Sequence, residues 1–289
     1  MKRVLITGAN SYVGDSVSSW LKQKGLSVEI LDMLDESWRK KDFSSFDVVF
    51  HVAGLAHRKI TKDIEPLYYS INCDLACEVA EKSKKEGVSQ FIFMSSMSVY
   101  SDSESIIDKS TPTCPDNAYG KSKLMAEQRL NRFQDESFKI VVLRPPMIYG
   151  KNCKGNYTSL RRIALRFPVF PKVKNRRSMI YIDNLSEFVF QVIINGLSGV
   201  YMPQNSELVN TSNWAFLIAK ENGHKLYLSS ILGIAVFIAK HLPIVGLKAR
   251  KAFGDSYYSV DSGITDVPFK YQIVDFDTSI QYTEEVLQK

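Results

Sequence analysis

Apolar residues in the first half of the chain fall into short runs separated by longer helical patterns. Val4-Leu5-Ile6, Leu26–Leu31, Val48–Val52, Phe91–Met94 and Ile140–Leu143 are each about a strand long and rich in β-branched and aromatic residues. Between them, apolar positions recur with helical spacing over Asp15–Lys24, Leu67–Glu86 and Tyr119–Phe133. Strands alternating with helices predict an α/β fold, a Rossmann-type doubly wound parallel sheet covered on both faces. After Gly150 the alternation loosens into shorter helices, prolines and basic loops, which predicts a smaller C-terminal lobe woven onto the first.

The first strand turns at Gly8 and enters a helix through Asn10, Ser11, Tyr12, Val13 and Gly14. Such a junction aims free N–H groups and the positive end of a helix dipole at one spot, a ready anion site. Glycines there let a pyrophosphate approach the backbone. Ser11 stands where a middle glycine is expected, so this stretch alone also fits a plain strand–turn–helix. The second strand ends at Asp32, 18 residues beyond Gly14. A carboxylate there accepts both ribose hydroxyls of an adenosine and repels a 2′-phosphate, favouring NAD(H) over NADP(H). Asp42 and Phe43, just before the third strand, are candidates to flank the adenine.

Composition narrows the setting. The 289 residues, 45% hydrophobic and 24% charged, suit one large α/β domain with a small lobe. No stretch reaches bilayer-spanning length; the longest candidate, Ile231–Ala239, stops at Lys240-His241 and reads as a buried or partner-facing helix. Cys73, Cys77, Cys114 and Cys153 lack the spacing of a zinc site or disulfide framework, which points to a reduced, cytoplasmic protein. The net charge of +6 is concentrated: Lys151 to Arg177 holds nine basic residues and no Asp or Glu. That segment suits an anionic partner; with no recognition motif or interleaved aromatic platform, nucleic acid is not expected. Arg161, Arg162 and Arg166 read as a solvated helix face.

Tyr119 and Lys123 stand four apart on one predicted helix, so they share a face. A nearby ammonium lowers a phenol's pKa and makes it a workable acid/base near neutral pH. A partner hydroxyl is available where the fourth strand ends, in Ser95-Ser96-Met97-Ser98.

On these residues the chain resembles the extended short-chain dehydrogenase/reductase family, within it the nucleotide-sugar epimerases and 4-ketoreductases. The resemblance is carried by Thr7-Gly8-Ala9 to Gly14, Asp32, His51 to Gly54, Asn72, Ser96 to Tyr100, Tyr119 to Lys123, Arg144 to Gly150 and Arg177 to Asn184. It implies that Tyr119 exchanges the hydroxyl proton of a sugar carbon while hydride moves to or from nicotinamide. Ser96 then hydrogen-bonds the same oxygen, and Lys123 holds the nicotinamide ribose. Val52, Ala53, Gly54, Asn72 and Pro146 join the loop residues as NAD contacts. Asn156 and Arg177 bind the pyrophosphate of a UDP-sugar, and His57 lies near the nicotinamide pocket. A basic and aromatic patch, Lys248 to Gly254 with Tyr257 and Tyr258, is a candidate cover for the nucleotide. The implied division is an NAD-binding domain over 1–150 with 176–200 returning to it, and a substrate lobe over 151–175 and 201–289. Family members often dimerise through two helices each, and Leu67–Glu86 and Tyr119–Phe133 are the candidates here.

Departures sharpen the reaction. The 4,6-dehydratases of this family carry Asp-Glu after the catalytic hydroxyl, and the 3,5-epimerase/reductases a Cys two residues after it. Met97-Ser98 follows Ser96 here, leaving redox at one carbon. Gln90–Ser96, Val142–Gly150 and Asn175–Asp183 resemble capsule- and O-antigen-locus members that reduce a UDP-4-keto-6-deoxy-N-acetylhexosamine. A UDP-glucose or UDP-N-acetylglucosamine 4-epimerase with tightly bound NAD+ is the alternative.

Overall fold

The computed structural model describes residues 1–56, 61–243, 245–261 and 263–285. His57 lies outside them. In chain order, β1 (Arg3–Thr7), α1 (Tyr12–Gln23), β2 (Ser27–Leu31), a 3-10 turn (Glu36–Lys40) and β3 (Val48–His51) form the first half of the sheet. A continuous helical stretch follows: α2 (Glu65–Tyr69), a π turn (Ser70–Asp74) and α3 (Leu75–Lys85). Then come β4 (Gln90–Met94), β5 (Ile106–Ile107), α4 (Ala118–Leu130) and β6 (Lys139–Leu143). Beyond these lie β7 (Met147–Tyr149), α5 (Asn156–Arg166), β8 (Val169–Pro171), β9 (Met179–Tyr181), α6 (Ile182–Ile194) and β10 (Gly199–Tyr201). The chain closes with α7 (Thr211–Glu221), β11 (Tyr227–Ser229), α8 (Ser230–Ala239), α9 (Gly246–Phe253), β12 (Tyr257–Tyr258) and α10 (Phe276–Glu284).

Six parallel strands make the main sheet in the order β10-β6-β4-β3-β1-β2. Strand side chains alternate between faces, so each run feeds two cores. Val4, Ile6, Val48, Phe50, Ile92, Met94, Val141 and Leu143 point to one cluster, shared with Val17 and Leu21 of α1 and Leu185 and Phe188 of α6. Leu5, Val49, Phe91, Phe93, Ile140 and Val142 point to the other, with Ala76, Val79 and Ala80 of α3 and Ala126 and Leu130 of α4. Burial on both faces explains why these strands read as unbroken apolar runs. The doubly wound parallel fold is as the alternation predicts.

α1 begins at Tyr12, three residues before the predicted start, because Ser11 caps it: its Oγ accepts the Gly14 N–H at 3.1 Å. Just before Gly150, β7 forms the partner of β9; after it, α6 packs on α1, and β10 joins the main sheet beside β6. α5, α7 and α10 pack together, and their Tyr157, Trp214 and Phe276 lie in the same cluster as the α1 face of the sheet. One core therefore runs under both halves of the chain.

Candidate active site

The sheet changes direction between β1 and β3, since the chain runs out to β2 and returns past β1. In doubly wound sheets, that switch point at the carboxyl ends of the strands is where ligands bind. Gly8, at φ +105°, ends β1 there; a Cβ on it would come within 2.8 Å of the Ala53 nitrogen and 2.9 Å of its Cα. Asn10 adopts φ +60°, a conformation asparagine tolerates better than most residues. A Cβ on Gly14 would overlap Ser11 Oγ and touch Val52 Cγ2 at 3.0 Å. Ser11 thus replaces the expected middle glycine with a cap that fills space Gly14 leaves open. Tyr12 and Val13, the first helical residues, present N–H groups that the helix itself cannot satisfy. The cradle fits a diphosphate.

Asp32 follows β2 and is exposed, its Oδ1 accepting the Leu34 N–H at 3.0 Å. Asp42 is exposed too, while the Phe43 ring is fully buried in the α3–α4 core with Lys82 Nζ 5.0 Å from its centroid. Phe43 therefore does not present its ring to an adenine, and its N–H is taken by Glu86 at 2.6 Å. Packing demand under α3 outweighs the loop position read from sequence.

Asn72 sits fully buried on the π turn with its amide committed to the protein. It accepts the Leu55 N–H at 2.7 Å and donates to Leu55 O and to Ser122 Oγ, each at 3.1 Å. Its geometry is that of a clamp tying the 53–55 loop to α4, rather than of a direct ligand. Gly54 lies within that loop, where a Cβ would stand 3.0 Å from Asn72 Oδ1 and 3.2 Å from Lys123 Nζ.

Ser96 and Tyr119 are brought together by a backbone contact that spacing alone did not reveal. α4 begins at Ala118 under the Asn117 cap, whose Oδ1 accepts the Gly120 N–H at 3.0 Å. A Cβ on Gly120 would overlap the Ser98 carbonyl and lie 2.8 Å from Pro115 Cβ. Only glycine lets the first turn of α4 press onto the turn after β4, and there the Ser96 side chain acts on the Tyr119 hydroxyl to lower its pKa. Ser96 Oγ also accepts the Ser98 N–H at 3.1 Å and lies 3.2 Å from Ser98 Oγ. Ser95 is turned away, donating to buried Glu127. Of the three serines, Ser96 is the one set against Tyr119.

Lys123 is buried, donates to Met94 O at 2.8 Å, and sits 4.7 Å from the Phe93 ring centroid. Burial draws its pKa down to about 8, with Glu127 acting in the opposite direction. Burial raises the Tyr119 pKa; the Ser96 hydrogen bond offsets part of that, and Tyr68, its edge-on neighbour at 6.2 Å, adds to it. The expected depression of the phenol by Lys123 is not what this geometry gives, because the ammonium is drawn toward Met94 and Phe93 beneath the helix. Glu127, also on α4, accepts from Arg144 Nε at 3.1 Å through both carboxylate oxygens, and Arg144 Nη1 donates to Tyr100 OH at 2.8 Å. This buried pair fastens α4 to the end of β6. Pro146, two residues on, is buried.

In the second half of the chain, backbone bridges join Arg177 to Val209 and Ser256, and Ser256 Oγ lies 3.8 Å from Met97 Sδ, which links Arg177 to Ser96 through Ser256 and Met97. Its Nη1 donates to Lys251 O at 2.8 Å and Gly254 O at 3.4 Å. Burial lowers its pKa, opposed by Asp255. Asn156 is exposed at the start of α5, whose partners are α7 and α10, and no described contact joins it to this cluster. Arg161 is not solvated helix face: it pairs with fully buried Glu284 at 2.7 Å and with Asn222 at 2.9 Å. Tyr257 and Tyr258 are buried in β12, paired with β5, so they form a floor and not a cover.

The family model for the NAD dependent epimerase/dehydratase family matches residues 4–201. The chain belongs to that family. Its similarity extends to the N-acetyl-alpha-D-glucosaminyl-diphospho-ditrans,octacis-undecaprenol 4-epimerase of Escherichia coli O157:H7, 30% identical over 217 residues, 68% of this chain and 64% of that protein. It is also 28% identical to the UDP-glucose 4-epimerase of Vibrio cholerae over 218 residues, 66% of each chain. The matches thus span just under two thirds of the length of these relatives. Among solved structures, UDP-N-acetylglucosamine 4-epimerase from Bacillus cereus superposes with a TM-score of 0.78 over 100% of both chains at 17% identity, a likeness of fold.

Proposed function

We propose that the protein carries out NAD(H)-dependent oxidoreduction at C4 of a UDP-sugar, with Tyr119 as acid/base. The observation that carries this reading is the press of Gly120 onto the Ser98 carbonyl, which holds the Tyr119 and Ser96 hydroxyls together beside the glycine cradle. Gly8, Ser11 to Gly14 and Asp32 would hold the dinucleotide, and Lys123 its nicotinamide ribose beside Gly54. NAD(H), when bound, supplies or accepts hydride. As the sugar C4 carbonyl becomes an alcohol, Tyr119 gives its proton to the oxygen and Ser96 donates a hydrogen bond to it; oxidation runs the same transfers backwards. Arg177 would grip the diphosphate through its planar donor fork.

The net reaction we favour is reduction of a UDP-4-keto-6-deoxy-N-acetylhexosamine for surface polysaccharide. β2 is an edge strand of the sheet, and Asp32, just beyond it, is exposed. This reading rests on the likeness of Gln90–Ser96, Val142–Gly150 and Asn175–Asp183 to members that reduce such sugars. The epimerase reading is supported by the names of the relatives above. The test is Tyr119→Phe: turnover falls about 10²–10⁴-fold while the variant still binds dinucleotide, seen as a ligand-induced rise in Tm. Full turnover in that variant removes Tyr119 from the chemistry.

A further inference from the structure

α8 is the exception to the rule that a helix apolar on all sides is buried. None of its residues is buried. Gly233, Val236 and Ala239 form its half-covered face, and Gly233 is where a Cβ would overlap the Lys172 carbonyl. The opposite face projects into solvent: Ile231 is 80% exposed, Ile234 62% and Phe237 64%. The following turn and α9 extend the same patch with Leu242 and Leu247, 48% and 55% exposed. Arg250 closes the hairpin, its Nη1 donating to Lys240 O at 2.8 Å.

Charge says what covers this patch. From Asn222 to Gly254 the chain has Lys225, Lys240, Lys248, Arg250 and Lys251 and no Asp or Glu. β8 and β11 pair, which sets this stretch beside the acid-free segment ending in Lys172, Lys174 and Arg176, all exposed. Among the described residues, the carboxylates seen to face these cations are Asp102, paired with Lys251 at 2.8 Å, and Asp255, which faces Lys240 and Arg177. A second copy meeting α8 through the same face would set like charges against each other. An anionic lipid surface takes both features at once, the apolar face into the acyl boundary and the basic rim against the headgroups.

We propose that the α8–α9 hairpin docks the protein on an anionic membrane surface without spanning it. With ten residues, α8 is about 15 Å long, half of a bilayer's hydrocarbon core, and among the described residues no helix is long and apolar enough to cross. The hairpin's end also supplies the two carbonyls that hold Arg177, so docking and the proposed diphosphate site share one support.

Vesicle co-sedimentation of the full chain tests this without reference to sugar chemistry. Binding to phosphatidylglycerol-containing vesicles should be at least about tenfold tighter than to phosphatidylcholine alone and should weaken with salt. Ile234→Glu/Phe237→Glu should abolish it with circular dichroism and Tm unchanged, and Lys248→Glu should reduce it. Equal, negligible binding to both vesicle types overturns the proposal, as does wild-type binding by the double variant. So does a dimer in solution that the double variant splits while neither form binds lipid.

Discussion

Two apolar segments of this chain, β4 and α8, end in opposite surroundings. Every residue of Gln90–Met94 is buried, whereas none of Ser230–Ala239 is. β4 lies between β3 and β6 with helices over both faces, so its alternating side chains divide between two clusters. α8 is held by one glycine-bearing face against a two-stranded ribbon, with α9 folded back beside it, and its Ile231, Ile234 and Phe237 stay in solvent. Apolar content gives both segments the same drive to leave water; what differs is whether the chain's own elements supply the cover.

The comparison can be broken first in the sheet. Phe91→Ala, at a fully buried ring between His51 and Phe138, should cost about 3–5 kcal/mol in urea denaturation. A loss near zero would mean that β4 is not the core strand described here. His51 sharpens the same point from the polar side. It is buried with Thr7 Oγ1 2.7 Å from Nδ1, and burial, aided by Lys123, draws its pKa down to about 3. Below pH 6.5 the unfolded chain takes up a proton that the folded chain refuses until about pH 3. Stability from this group is complete above pH 6.5 and falls across that window. His51→Asn should therefore resist acid better, the difference growing to on the order of 4 kcal/mol at the low end. Parallel acid-denaturation curves for the two proteins would contradict the assignment.

Gly120→Ala should destabilise by about 1–3 kcal/mol and reduce turnover far more than that loss implies, because α4 must lift off the Ser98 carbonyl. Unchanged kcat would show that the contact does not set the Ser96–Tyr119 geometry. At the other pole, Ile234→Ala should change stability by no more than about 0.5 kcal/mol. A core-sized loss there would mean α8 is covered after all.

What the sequence made legible is what depends on local spacing. Strand runs, the Gly8–Gly14 turn and the i, i+4 relation of Tyr119 and Lys123 need only neighbours along the chain. Tertiary relations stayed hidden. The Glu127–Arg144 pair joins residues 17 apart, and Arg161–Glu284 joins residues 123 apart. The tightness at Gly120 depends on a carbonyl from another element. The direction of the Lys123 ammonium follows from Met94 and Phe93, so spacing foretold that it shares a helix with Tyr119 but not which way it points. Gly120 was visible in Tyr119-Gly120-Lys121 as a glycine inside a helix, a residue that usually has a packing reason.

The most direct measurement is NADH oxidation with a UDP-4-keto-6-deoxy-N-acetylhexosamine, followed to completion and compared with UDP-glucose and no added reductant. The account predicts one NADH consumed per keto sugar, loss of that activity in Tyr119→Phe, and no reaction with UDP-glucose. Interconversion of UDP-glucose and UDP-galactose without added reductant, and no NADH consumption with the keto sugar, would contradict the reductase reading. Absence of both activities, with no dinucleotide bound, would contradict the account as a whole.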